Sequence, residues 1–84
     1  MTEKEFELID ELYFLISFEQ LQGLLDWEER ELAALLEDIF KKGWLRCYNH
    51  AGEQLSDELI DIPSSYMKYN YLATKAGLKA HNKS

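Results

Sequence analysis

Cysteine occurs once in these 84 residues, at Cys47, so no internal disulfide can brace the fold. Together with the lack of a secretory signal this favours a reducing, cytoplasmic setting. The four glycines, Gly23, Gly43, Gly52 and Gly77, stand apart from one another, which excludes a glycine-rich phosphate loop. No purely apolar run exceeds five residues, as in Leu12-Tyr13-Phe14-Leu15-Ile16, against about 20 for a membrane-spanning helix. A membrane span is therefore not expected. Cys47 and His50 have a Cys-x-x-His spacing, but His81 is the only other Cys or His, too few for a structural zinc site. No metal, cofactor or catalytic group is expected, and the chain does not read as an enzyme.

Basic residues are scarce where nucleic acid would need them. Residues 1–40 hold only Lys4 and Arg30 against twelve acids, a local charge of −10. Residues 41–84 hold seven bases against four acids, a local +3, within a total of −7. The length suits one domain with a modest core, and an apolar share of 46% is that of a folded chain rather than a disordered one.

The helices are marked at their ends. Thr2 and Glu5 have capping-box spacing, and Phe6, Ile9, Tyr13 and Ile16 then form one stripe, predicting a first helix from about residue 3 to 16. Its second half is apolar all round and must be covered by core or by a partner, with Phe14 the residue most suited to reach one. Ser17 and Gln20 make a second box, predicting a short helix over about 18–25 that buries Leu21, Leu24 and Leu25. Asp26 and Glu29 predict the start of a third, ending at Gly43, with Leu32, Leu35, Leu36, Ile39 and Phe40 on its inner face. Helices joined so tightly have the arrangement of a helix-turn-helix.

Beyond Gly43 the pattern becomes extended. Residues 44–49 predict one strand, 50–53 a turn, and 66–73 a second strand that pairs antiparallel with the first. Residues 55–65 fit a strand or a helical turn that Pro63 stops. Thr74 caps a closing helix to about His81.

This order resembles the winged helix-turn-helix superfamily of bacterial transcription regulators. Phe40-Lys-Lys-Gly-Trp-Leu45 resembles the junction where the recognition helix meets the first wing strand, and Tyr71-Leu-Ala-Thr-Lys-Ala-Gly77 the segment leaving the second. The resemblance covers roughly residues 3–80. It implies an α+β fold, mostly helical: a three-helix bundle over 1–43, a two-stranded wing over 44–73 and a C-terminal helical turn over 74–84. It also implies a regulator that binds double-stranded DNA through the start of the third helix and the wing.

At that start, however, stand Glu28, Glu29 and Glu31, with Arg30 the one base. Carboxylates near phosphates are repelled, which moves the nucleic-acid candidates to Arg30, Lys41, Lys42, Arg46, Lys68 and Lys75, with Tyr48 and Tyr69 placed to pack on sugar or base. The alternative is a protein-interaction module that docks a basic partner through Glu28, Glu29 and Glu31, with Phe14 and Trp27 as apolar anchors. The expected assembly is a homodimer.

Overall fold

The computed structural model describes residues 1–83. Helix α1 spans Glu3–Asp10, and the Thr2/Glu5 capping box is formed in both directions. It stops six residues before the expected end. The chain turns through residues 11–15 and becomes a short strand, β1 (Ile16–Ser17), antiparallel to β3 (Asn70–Ala73). The run 12–16 is apolar without a helical period, so it suits a strand edge as well as a helix. Leu12 alone of its first four residues is buried. The Leu12 carbonyl accepts from the Ala73 amide at 2.9 Å.

Helix α2 (Phe18–Leu25) starts at the expected Ser17/Gln20 box. Leu21 faces the core, whereas Leu24 is 62% exposed, contrary to its expected place on the buried edge. Asp26 does not cap the next helix. It ends α2 in the left-handed region, φ 54° and ψ 38°. Helix α3 (Glu29–Lys41) is instead capped by Glu28, whose carboxylate accepts from the Glu31 amide at 3.1 Å. Between them Asp26 and Trp27 turn the chain, and the Trp27 carbonyl accepts from the Gln22 side chain. After α3, Gly43 takes φ 79°, a backbone state that glycine adopts without strain, and releases the chain into β2 (Leu45–Tyr48).

The sheet order is β1-β3-β2, all antiparallel, with Leu45 opposite Ala73 and Cys47 opposite Tyr71. Those four residues point inward and are buried. Residues 49–53 turn back so that the Leu55 amide donates to the Cys47 carbonyl at 2.9 Å, on the edge of β2 away from β3. A 3-10 turn at Asp57–Leu59 and helix α4 (Ile62–Ser65) follow. Pro63 lies in the first turn of α4 and so helps to start a helix rather than stop one, since its missing N–H has no partner to lose there. Residues 66–68 form a 3-10 turn, which shortens the second wing strand from the expected 66–73 to Asn70–Ala73.

Helix α5 (Lys75–Asn82) closes the chain, with Thr74 as cap. Thr74 Oγ1 donates to the Gly43 carbonyl at 2.7 Å and its amide to Trp44 O at 2.9 Å. The core between helices and sheet holds Leu8, Ile9 and Leu12, Phe18 and Leu21, Leu32, Leu36 and Ile39, Cys47, Ile62 and Tyr71. Among the described residues no helix is long and apolar enough to cross a membrane.

Candidate functional site

The start of α3 is exposed at Glu28, Glu29, Arg30 and Glu31. Helix formation places these acids where the helix dipole favours them, so local energetics alone account for carboxylates there. Two of the three also have side-chain partners. Glu29 accepts a hydrogen bond from the Tyr66 hydroxyl, a bond that raises the Tyr66 phenol above its ordinary value. Glu31 pairs with Lys4, whose ammonium also sits 4.9 Å from the centre of the half-buried Trp27 ring. Arg30, Ala33, Ala34 and Glu37 line one side of a shallow groove of about 450 Å³, and Pro63 and Tyr66 the other. The segment between the wing strands thus lies against the outer side of α3.

The cations are divided between several places. Lys41 pairs with Glu37 one turn earlier at 3.5 Å. Lys42 pairs with Glu5, a carboxylate only 3% exposed, and lies 4.9 Å from the Trp44 ring centre. Burial pushes the Glu5 carboxyl up, but Lys42 and the Thr2 amide and hydroxyl outweigh it and hold the group below its ordinary value. Arg46 lies on the outer face of the sheet, opposite Leu72. Lys68 precedes β3 and Lys75 follows it, at opposite ends of the strand. Arg30 and Lys41 are eleven residues apart on one helix, about 17 Å. Lys41 and Lys42 precede Gly43 and Lys75 follows Thr74, so their backbones meet where Thr74 bonds Gly43 at the root of the wing, while the wing turn over residues 49–53 carries no Lys or Arg. Arg30 and Lys68 stand away from that group. Tyr69 is buried and its hydroxyl accepts from the Asp61 amide at 3.0 Å, so it cannot pack on a base. Tyr48 is half-buried on the outer sheet face.

Cys47 is fully buried in β2, and burial, with the charge of Asp57, pushes its thiol up to about 12. It is an inert core group, while His50 sits exposed at the wing turn.

A second feature escaped the helical reading of residues 12–16. Tyr13, Phe14, Leu15 and Leu24 are 40%, 83%, 45% and 62% exposed, and they line a groove of about 610 Å³ with Asp10, Glu11, Ile16 and Gln20. The turn presenting Phe14 is held on both sides. Tyr13 Oη lies 2.9 Å from His81 Nδ1 and donates to Asn82 Oδ1 at 3.1 Å, while Ile16 pairs with Tyr71. His81 in turn stacks on Phe6 at 4.1 Å, with Nε2 3.3 Å from Asp10 Oδ1. The sequence signal for the groove was Leu24, one apolar residue more than a short helix with a single buried edge needs.

No protein-family model matches the sequence, and no curated protein does. Among solved structures the chain is similar to a multiple antibiotic resistance repressor, MarR, with a TM-score of 0.76 over 99% of this chain at 15% identity. The fold is a winged helix-turn-helix. In that fold α2 and α3 are the helix-turn-helix pair, and β2 and β3 are the wing strands. This winged helix spans about half of the repressor chain it matches, 53%.

Proposed function

We propose that this winged helix is a protein-interaction module of transcription-regulator architecture, whose acidic α3 face docks a basic partner. The observation that carries this reading is the exposed start of α3, where Glu28, Glu29 and Glu31 outnumber the two cations beside them, Arg30 within the helix and Lys4, which pairs with Glu31. Duplex DNA is a polyanion, and affinity for it comes chiefly from neutralising phosphates with Lys and Arg. Two further observations support the same reading. Lys41 and Lys42 are already paired with Glu37 and Glu5. The segment that follows the wing turn carries Asp57, Glu58 and Asp61. A free thiol at Cys47 suits a reducing bacterial cytoplasm as the setting.

The second reading is a DNA-binding regulator, and the likeness to the MarR repressor favours it. Its contacts would come from Arg30, Arg46, Lys68 and Lys75, none of which has an ion pair among the described residues. A homodimer with its two α3 helices about 34–36 Å apart would fit successive major grooves.

Replacing Glu28, Glu29 and Glu31 together with Gln separates the two. Under the first reading a basic protein partner binds the triple variant more weakly, while under the second DNA binds it as well or better.

A further inference from the structure

We propose that the groove beside Phe14 takes an amphipathic helix of a partner protein, its apolar face flanked by Lys or Arg. This rests on the protein-docking reading and places a partner on a surface distinct from the α3 face.

Three observations converge. The apolar wall is contiguous, with Tyr13, Phe14, Leu15 and Leu24 exposed together, and such patches on a small domain mark binding surfaces. Phe14 is displayed rather than left loose: Leu12, Tyr13 and Ile16 on either side are tied to Ala73, His81 and Tyr71. A partner therefore meets an aromatic side chain whose backbone is already ordered, which lowers the entropy cost of docking. The groove that these residues line has a volume of about 610 Å³.

The charge of the rim selects the occupant. Asp10 and Glu11 line the groove and no Lys or Arg does. Of the two bases in residues 1–40, Lys4 is held by Glu31 and Arg30 lines the other groove. A second copy of this chain would oppose the same carboxylates to one another, whereas a helix with flanking cations would pair with them. Strand addition is the weaker alternative because β1 offers an edge of two residues. A groove with apolar walls instead matches the helix-in-groove mode, in which anchors one and two turns apart enter together.

The test is a titration of the isotope-labelled full chain, followed by NMR, with three synthetic peptides of about 15 residues. One alternates Leu and Lys with helical periodicity, one has Glu in place of Lys, and one has Ser in place of Leu. The Leu/Lys peptide is expected to shift amides of residues 10–16 and 20–24. Phe14→Ser and Leu24→Ser should each weaken it by about tenfold or more, the loss of one interface anchor. Both positions are exposed, and an unchanged thermal unfolding midpoint confirms that the variants fold. Equal binding of the Leu/Glu or Ser/Lys peptide overturns the proposal, as do shifts confined to α3 or unaffected binding by both variants. Sedimentation showing a dimer that Phe14→Ser dissociates also overturns it, by making a second copy the occupant. Shifts on α3 abolished by the Glu-to-Gln triple variant would sink the groove while leaving the α3 docking face intact. Salt-sensitive DNA binding would sink the docking reading itself.

Discussion

Lys42 at the end of α3 closes an ion pair on Glu5, a buried carboxylate 37 residues earlier in α1. The pair ties the first helix to the third, while the Lys42 side chain itself stays 45% exposed. Lys42→Met should keep the stem against Trp44 but strand the carboxylate. The expected cost is about 1–3 kcal/mol at neutral pH, read by urea unfolding, because a buried charge loses its partner.

The same pair gives stability a pH dependence of known sign. The Glu5 carboxyl is lowered in the folded protein, so its contribution is fully present above the unfolded value of about 4.3 and fades as pH falls through the folded one. The stability gap between wild type and Lys42→Met should therefore be constant near neutrality and narrow as pH falls through the carboxylate range, where the stranded Glu5 of the variant takes up a proton before the paired one of the wild type does. A gap independent of pH would assign the loss to packing instead.

Gly77, in the first turn of α5, faces the Trp44 carbonyl, and an added Cβ would lie 2.6 Å from that oxygen. The carbonyl already accepts from the Thr74 amide, so it cannot yield without breaking the junction of wing and helix. Gly77→Ala is expected to destabilise by about 1–3 kcal/mol, although alanine is better in a helix by up to about 1 kcal/mol. A gain in thermal stability would contradict this packing.

The Cys47 thiol, buried and raised to about 12, should not react with a thiol reagent at neutral pH in the native protein. Labelling should appear only in parallel with unfolding by denaturant. Rapid labelling of the native chain would mean that β2 opens far more readily than a core strand.

Tyr71 is wholly buried, and its hydroxyl donates to the Tyr66 carbonyl at 2.6 Å, fastening β3 to the turn that carries Tyr66. Tyr71→Phe should cost about 0.5–1.5 kcal/mol and loosen amide protection around residues 66–68. No change in either would make that bond dispensable.

The parts of this architecture written in short-range chemistry were legible in the sequence. Thr2 with Glu5 and Ser17 with Gln20 form reciprocal caps within four residues, and Gly43 marks a backbone state most residues avoid. The parts decided at long range were not. Residues 12–16 carry no period, and only pairing with β3, more than fifty residues later, makes Ile16 a strand. Asp26 is the better cap by residue type, but its left-handed backbone ends α2 and leaves the less favoured Glu28 to cap α3. Leu24 belongs to a helix whose inward edge Leu21 already satisfies, so its exposure depends on the turn beside it. The candidate cations looked like a single group in the sequence, but Lys68 and Lys75 stand at opposite ends of β3, and Arg30 stands at the other end of α3 from Lys41 and Lys42.

The most direct measurement is the anisotropy of a labelled mixed-sequence DNA duplex titrated with the full chain at about 50 and about 200 mM salt. A docking module with carboxylates at the start of α3 should leave the anisotropy flat even at the lower concentration, with circular dichroism showing the protein folded. Binding at the lower salt that weakens steeply at the higher, with a slope of about three to five phosphate contacts, would contradict the account and return this winged helix to reading DNA.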